Sequence, residues 1–396
     1  MKKKRLQGKK ILMLLHEHLP RDHRPRREAK ALVEHGAHVD FICLRSKGQK
    51  KKEVIDGFTV HRLPVEHERG TGVLFAAYEY ILFFLLTNIF TLKLYLKNRY
   101  DFIHIHNPPD ILVFVAIPYK MFGLRLTMDV HDPNPEIFSS RFEKGMDHPL
   151  SKMLMFIELV AARSVDNIII TNNVDKDILI KRCLLKEKKF TLLMNIPDPS
   201  LYGIQKNDRA SLPKKYRERY LILYQGIILK RRGIQILIQT YPKISSMIPN
   251  LHFLIIGDGP YRDSLEREIA SRGYSEGFSF LGHIPIEELA KYTMASKIGL
   301  ITFTDCPVNN RGVPNKLFEY MYHMKPIIAS DLEGIRSIVD EKTIWYYNPN
   351  DPNTFTEAIR DIYTSKNLNL KLNNYSNIRK KYNWEIMKKN LIDIYS

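Results

Sequence analysis

Short apolar runs that suit β-strands alternate with helical patterns along the chain, which favours a mostly parallel sheet with helices on both faces. A stretch richer in Pro, Asp, Ser and Gly divides the alternation into two series. We therefore predict an α/β protein with two Rossmann-like domains, at 1–195 and 216–378, joined by a linker at 196–215. Ligands of such sheets bind beyond the carboxyl ends of the strands, so a cleft between the domains is the expected site.

The predicted strands of the first series are Ile11–Leu15, Val39–Leu44, Thr59–Leu63, Phe102–Ile105, Arg125–Val130, Asn167–Ile170 and Thr191–Met194. Those of the second series are Leu221–Gln225, Phe253–Ile256, Ser279–Leu281, Gly299–Ile301 and Ile327–Ala329.

The composition is that of a globular protein, with 396 residues of which 44% are apolar and 26% charged. Its cysteines, Cys43, Cys183 and Cys306, lie far apart without the spacing of a zinc site. This pattern argues against a disulfide scaffold and favours a cytoplasmic location. The basic segment 1–10 runs into too few apolar residues for the core of a secretory signal, so none is expected.

The net charge of +18 predicts an anionic partner, and the first 30 residues hold 11 Lys or Arg against 3 acids. Nucleic acid, anionic lipid and phosphorylated substrates all satisfy that prediction, as does a solvated basic tail. A nucleic-acid-binding protein would interleave basic residues with exposed aromatic residues in one groove. Here the basic residues fall in loops after strands and at the N-terminus, so we expect no nucleic acid.

The segment Val73–Leu96 is almost continuously apolar and long enough to span a bilayer. A span would interrupt the first sheet between its third and fourth strands, which leaves two readings. The segment is a core helix of the first domain, or it is an interfacial helix at the inner face of the cytoplasmic membrane.

The residues from Arg311 to Asp331 carry the strongest chemical signal. A loop leads to a helix opened by Pro314, whose missing N–H is no loss in a first turn. The helix N-terminus offers N–H groups and a positive dipole end to phosphate, and Glu319 offers a carboxylate to sugar hydroxyls. An ordinary amphipathic helix is the alternative. The candidate donor-binding residues here are Val313, Pro314, Asn315, Lys316 and Glu319.

Glycines and cations follow the other strands of the second series. Three basic residues come after Gly226, and such cations can stabilise a diphosphate leaving group; a basic exposed loop is the alternative. The candidates are Gly226, Lys230, Arg231, Gly257, Gly282 and His283 for donor binding, with Arg232 as a catalytic residue.

Taken in order over about 110 residues, these segments resemble the donor-binding signature of glycosyltransferase family 4, the glycosyl transferases group 1. The resemblance implies the GT-B fold, in which two Rossmann-like domains face a central cleft. It also implies a last helix, at 379–396, that crosses back to the first domain. The activity implied is that of a retaining enzyme without a metal or other cofactor. Its donor is a nucleotide-sugar, which we expect to be UDP-linked.

The resemblance assigns roles residue by residue. Glu319 matches the second of the family's two glutamates and is implied to hold the ribose hydroxyls. Arg311 stands where the family has the first glutamate, so the usual contact to the donor sugar has no assigned residue. Arg232 stands where the family has a phosphate-binding lysine, and main-chain groups near Gly282 are implied to contact the nucleotide base.

In the first domain, the loop after the first strand resembles the family's opening Asp-x-Arg pattern, and its cations suit an anionic acceptor. His104 and His106 point to the same side of a strand, but no third metal ligand is convincingly spaced. His131 matches the histidine that the family places beside the donor sugar. For each of these histidines, a purely structural role is the alternative to a functional one. The candidates are His131 and Asp132 for catalysis, and Arg21, Asp22, Arg24, His106 and Asn107 for the acceptor.

We therefore predict a retaining hexosyl- or N-acetylhexosaminyltransferase of polysaccharide or glycoconjugate biosynthesis, acting on a glycan or polyprenyl-linked acceptor. A UDP-sugar epimerase of the same fold is the alternative, and it would need a carboxylate or histidine pair for proton transfer at the sugar.

Overall fold

The computed structural model describes residues 5–19, 23–66, 72–142, 144–197, 212–365 and 368–396. The chain divides into two compact units, Met1–Asn195 with Glu385–Ser396, and Ile196–Trp384. Most of the predicted linker lies outside the described residues.

An eight-stranded sheet forms the centre of the first unit, in the order β3-β4-β2-β1-β5-β6-β7-β8. All neighbours are parallel except β3, which runs antiparallel to β4. The strands are β1 (Lys10–His18), β2 (His38–Leu44), β3 (Lys52–Ile55), β4 (Phe58–Leu63), β5 (Phe102–Asn107), β6 (Arg125–Val130), β7 (Asn167–Ile170) and β8 (Phe190–Leu192).

Helices cover this sheet, and the last helix of the chain returns to it. They are α1 (His23–Glu34), α2 (Val73–Asn98), α3 (Val113–Ala116), α4 (Asn134–Phe142), α5 (Pro149–Ser164) and α6 (Asn173–Cys183), with the C-terminal helix Trp384–Tyr395. In that last helix the Tyr395 hydroxyl lies 2.7 Å from His104 Nδ1, and Asn390 donates to the Leu192 carbonyl at 3.0 Å. The boundary predicted at 379 falls inside the preceding helix, because residues 368–381 continue the second unit without a break.

The second unit is built on a six-stranded parallel sheet, in the order β11-β10-β9-β12-β13-β14. Its strands are β9 (Tyr220–Gln225), β10 (Leu251–Ile256), β11 (Phe278–Gly282), β12 (Ile298–Ile301), β13 (Ile327–Ser330) and β14 (Trp345–Tyr347). Its helices are α7 (Lys214–Arg217), α8 (Gln235–Met247), α9 (Arg262–Ser271), α10 (Ile286–Ala295), α11 (Pro307–Arg311), α12 (Asn315–Tyr322), α13 (Glu333–Arg336), α14 (Pro352–Thr364) and α15 (Leu368–Lys381), and the C-terminal helix is α16.

The predicted α/β class with two parallel-sheet units is confirmed. Each predicted strand falls on an observed one, and two edge strands were missed. The exposed β3 reads Lys-Glu-Val-Ile, with too few apolar residues for a strand signal, and β14 has only three residues. The predicted loop before Pro314 is wrong in part, since Pro307–Arg311 form a short helix and the next helix begins at Asn315.

Candidate functional site

In the second unit, the site begins where β9 ends and the chain turns sharply. Gly226 has φ of +128°, and a Cβ added there would lie 3.3 Å from Lys316 Nζ. A Cβ on Gly257 would lie 2.0 Å from the Gly226 carbonyl oxygen. Gly257 also donates to the Gly282 carbonyl at 2.8 Å. The three predicted glycines therefore let the loops after β9, β10 and β11 approach one another.

Two cations lie beside this turn. Lys316, in the first turn of α12, is buried, and its Nζ lies 3.9 Å from the ring centroid of Tyr224. Arg232 stacks on Phe303, with Cζ 4.3 Å from the ring centroid. Burial, together with the charge of Arg232, lowers the pKa of Lys316 well below its usual range. A site that holds two cations this closely is suited to an anion, because an anion would relieve both the burial and the repulsion.

Glu319 lies one turn further along α12 and is half-buried. Gln225, the last residue of β9, donates its side-chain amide to the Glu319 carboxylate. Thr293 on α10 donates to the Gln225 side-chain oxygen at 3.4 Å. The carboxylate is thus oriented at the carboxyl end of the sheet, beside the cations.

The basic turn Lys230–Arg232 is held by the loop after β12. Thr304 and Asn309 donate to the Arg231 carbonyl at 2.9 and 2.8 Å. A Cβ on Gly233 would lie 1.7 Å from the Thr302 carbonyl oxygen, so the close approach requires glycine. The main chain of the turn is therefore held in place, while Lys230 is exposed and Arg231 and Arg232 are half-buried.

The remaining predicted donor residues differ in exposure. Val313 and Pro314 are half-buried before α12, while Asn315 and His283 are exposed. Arg311, which replaces the family's first glutamate, is buried at the end of α11.

In the first unit, a buried network surrounds Asp129 on β6. One carboxylate oxygen of Asp129 lies 2.9 Å from His131 Nε2 and 3.2 Å from His106 Nδ1. The two histidine nitrogens lie 3.0 Å apart. The side chain of His131 is 15% exposed, whereas those of His106 and Asp129 are 0% exposed. His131 is therefore the member of this group that a substrate can reach.

Charge in this network is unevenly distributed. Burial alone would raise the pKa of the Asp129 carboxyl, but Arg24 and the neighbouring histidines hold it well below its usual range. Burial and the neighbouring His104 lower the pKa of His106. Asp129 is thus a fixed negative charge that orients the His131 ring.

Arg24 is buried, where an acceptor-binding residue was predicted. Its guanidinium pairs with Asp129 and, at 3.0 Å, with Glu28. Burial and the charge of Asp129 raise the pKa of Glu28. In this structure Arg24 holds the carboxylate network and does not face solvent. Arg21 and Asp22 lie outside the described residues.

Asn107 fixes the main chain at His131. Its side-chain oxygen accepts from the His131 N–H at 2.8 Å, and its amide donates to Asp110 at 2.7 Å. Asp132 is exposed, with its carbonyl 3.4 Å from the Asn107 amide. Glu136, in the first turn of α4, is paired with Arg182 and buried.

Four of these side chains are close enough to hold a cation. Ligand atoms of Glu28, His104, His106 and Asp129 lie within 4.8 Å of one another, and all four residues are buried. Arg24 already supplies positive charge to both carboxylates, so the cluster is neutralised from within the protein. Glu28 and Asp129 were not visible as ligands in the sequence, because they come from α1 and β6 and not from the strand that carries the two histidines.

Comparison with known proteins now identifies the family. A model described as Glycosyl transferases group 1 matches residues 219–365, and a glycosyl transferase 4-like domain matches residues 23–186. The chain belongs to this glycosyltransferase family. Its two matched segments fall on the second and first units, respectively.

Relatives and solved structures agree with this assignment. A GDP-mannose-dependent alpha-(1-6)-phosphatidylinositol monomannoside mannosyltransferase of Mycolicibacterium smegmatis is 25% identical over 42% of this chain, spanning 43% of its own length. The chain thus covers less than half of that relative. Sucrose-phosphate synthase from Thermosynechococcus elongatus superposes with a TM-score of 0.78 at 18% identity, over 98% of both chains. HepE from Anabaena in complex with UDP-glucose gives 0.71 at 14% identity, over 97% of this chain and 98% of that one.

The fold is therefore GT-B, and the family to which the chain belongs is one of glycosyltransferases. Lys316 was named from the sequence as a donor-binding residue, but Gln225 was not. The signal for Gln225 was its place as the last residue of a strand before a glycine turn. The signal for Asp129 was alternation on β6 beside the histidines of β5.

Proposed function

We propose that the protein is a retaining glycosyltransferase that moves a hexosyl or N-acetylhexosaminyl group from a UDP-sugar to a glycan or lipid-linked acceptor. The observation that carries the donor assignment is the grouping of Lys316, Arg232 and Glu319 at the carboxyl end of β9. Cations beside a helix N-terminus suit a diphosphate, and a neighbouring carboxylate suits ribose hydroxyls. The UDP-glucose bound in HepE supports a UDP donor.

In the proposed reaction, the bond between the sugar C1 and the diphosphate oxygen breaks as the acceptor oxygen bonds to C1 on the same face. The acceptor proton passes to the leaving phosphate, so no protein nucleophile takes part. The negative charge that grows on the diphosphate is stabilised by Lys316, Arg232 and the N–H groups that open α12. In this proposal the protein contributes by stabilising charge and by positioning the reactants, and the reaction requires no metal.

From the family resemblance, His131 is proposed to act on the reacting sugar. Asp129 fixes the ring of His131, and Asn107 fixes its main chain, so the imidazole is held before substrate arrives. Preorganisation of this kind lowers the barrier because no reorientation is needed during the reaction. Arg24 does not contact the substrate in this proposal, but its ion pair with Asp129 keeps that carboxylate ionised.

The acceptor is proposed to be an intermediate of polysaccharide or glycoconjugate biosynthesis at the inner face of the membrane. Arg21 and Asp22, which lie outside the described residues, are proposed to contact its anionic part. The phosphatidylinositol-linked acceptor named for the mycobacterial relative supports a lipid-linked substrate.

A thermal-shift screen with UDP-, GDP- and ADP-sugars tests the donor assignment. A ligand that binds only the folded state stabilises it by mass action and so raises the melting temperature. At a ligand concentration of 100 times the Kd, the gain in stability is about 2.7 kcal/mol. We expect the UDP-sugars to give the largest shift. A larger shift from GDP- or ADP-sugars would overturn the UDP assignment, and no shift from any would overturn the donor site.

A further inference from the structure

The longest helix in the described part of the chain, α2, turns a row of apolar residues outward. Seven of them, which we call the apolar stripe, are each more than half exposed. At 3.6 residues per turn they fall within an arc of ~80° and extend over ~33 Å. The polar residues Glu79, Thr87 and Thr91 are buried on the opposite side. The stripe consists of Leu74, Tyr78, Ile81, Leu85, Ile89, Leu92 and Leu96.

The opposite face fixes α2 to the first unit. Glu79 pairs with His16 at 2.9 Å, and the Phe83 ring packs edge-on against the His16 ring at 4.8 Å between centroids. Leu94 and Tyr95 belong to the core beneath. Length and composition alone would allow α2 to span a bilayer, but these contacts hold it along the surface of the domain. An element held in this way can lie on a membrane but cannot cross it.

Charge determines which partner the stripe fits. Among the described side chains of α2, the exposed ones are apolar except for Lys93 and Lys97, and none is acidic. Exposed Arg99 follows at the C-terminal end of the helix. A second copy of this helix would offer apolar surface but no anion to these cations. An anionic bilayer offers both, since its phosphates meet the cations while its acyl chains meet the stripe.

The surface also extends beyond one helix. Phe122, which follows α3, is 63% exposed, and its ring centroid lies 5.7 Å from that of Tyr95. A broad apolar face suits a bilayer better than the narrow seam of a helix pair.

We propose that the apolar stripe lies in the interfacial layer of an anionic membrane, with α2 parallel to the membrane plane and Lys93, Lys97 and Arg99 on lipid phosphates. This inference does not rest on the proposed transfer reaction, and the chain's net charge of +18 acts in the same direction. Apolar insertion and a basic patch together are the two signals that give a peripheral protein stable attachment.

Cosedimentation of the full chain with vesicles, without any sugar donor, tests the proposal. Vesicles of phosphatidylcholine alone are compared with vesicles containing phosphatidylglycerol, each at low and high salt. Leu85→Glu with Ile89→Glu should abolish binding to both kinds of vesicle. Lys93→Ala with Lys97→Ala should weaken binding to the anionic vesicles by about 30-fold, at about 1 kcal/mol for each cation. The lysine pair should leave the weak binding to neutral vesicles unchanged.

Leu370→Glu is the matched control, because Leu370 is 67% exposed on α15 of the second unit. It should bind like the wild type. If the stripe variant unfolds by circular dichroism, the lysine variant, which changes only exposed side chains, still decides the question. Wild-type protein that binds neither kind of vesicle would overturn the proposal. So would concentration-dependent dimerisation that the stripe variant abolishes while vesicle binding persists. Because no donor is present, failure here leaves the proposed transfer reaction untouched.

Discussion

Replacing Lys316 with methionine should stabilise the protein while weakening nucleotide binding. Methionine keeps the length of the side chain but removes the amine, whose burial is costly. Lys316 and Arg232 lie over the same Phe303 ring and are therefore at most about 10 Å apart. At an effective dielectric constant of about 20, two unit charges no more than about 10 Å apart repel by at least about 1.7 kcal/mol. We expect the variant to gain about 1–2 kcal/mol of unfolding free energy in the absence of ligand.

The same change should weaken UDP binding by about 1.5–3 kcal/mol, the range for a hydrogen bond to a charged group, or about 10- to 150-fold in Kd. Titration calorimetry measures the affinity, and urea unfolding followed by fluorescence measures the stability. Lys297→Met is the matched control, because Lys297 is exposed at the amino end of β12 in the same unit; it should change neither quantity. A Lys316→Met variant that binds UDP as tightly as the wild type, or that is less stable, would refute the reasoning.

Three further outcomes are expected. Arg232→Ala should lower kcat more than it raises KM in a UDP-release assay, because charge on the diphosphate grows in the transition state; an unchanged kcat would assign Arg232 to binding alone. Burial, with Asp110 and Glu136 nearby, raises the pKa of Glu158 to about 7. The folded state then holds the Glu158 proton more tightly than the unfolded state does. The stabilisation that Glu158 adds to the free energy of unfolding is therefore full below about pH 4.5, and it falls by about 3 kcal/mol as the pH rises through 7. Urea unfolding from pH 4.5 to 8 measures this effect, and Glu158→Gln should remove the decline in unfolding free energy. If the unfolding free energies of the variant and the wild type fall in parallel with pH, the prediction is wrong. Slow hydrolysis of an α-linked UDP-sugar should release the α-anomer first by proton NMR, and a β-anomer would exclude retention.

The architecture could be predicted because each strand and helix has its own local pattern of apolar residues. Strands such as β9 and β12 are short, mostly apolar runs, and the series of such runs determines the sheet. The edges could not be predicted in the same way. The strand β3 is exposed and held mainly by its pairing with β4, a tertiary contact that leaves no periodic signal.

The candidate site was predictable where a residue type sits in a recognisable turn. Glu319 and Arg232 could be named from their positions after strands and in the helix. Burial could not be read from the sequence, and it changes the interpretation of Arg24. Its basic character predicted contact with an anionic substrate, but its guanidinium is used inside the domain by Asp129 and Glu28. Lys316 shows the reverse case, since its side chain becomes informative only once its burial beside Arg232 is known.

The exposure of α2 was likewise beyond sequence analysis. The apolar run fitted both a core helix and an interfacial helix, because composition does not say which face meets the sheet. The structure places Glu79, Thr87 and Thr91 inward and the apolar stripe outward. Which face of α2 meets the sheet is decided by tertiary packing and not by the apolar sequence of the helix.

Glu319 is proposed to bind the nucleotide, and His131 is proposed to act on the sugar. Titration of UDP into the wild type, Glu319→Ala and His131→Ala tests it directly, with sugar transfer or UDP release measured on the same preparations. Glu319→Ala should lose about 1.5–3 kcal/mol of UDP affinity, since a charged hydrogen-bonding group is removed. His131→Ala should keep wild-type UDP affinity while losing activity. Equal loss of UDP affinity in both variants, or none in Glu319→Ala, would contradict the account.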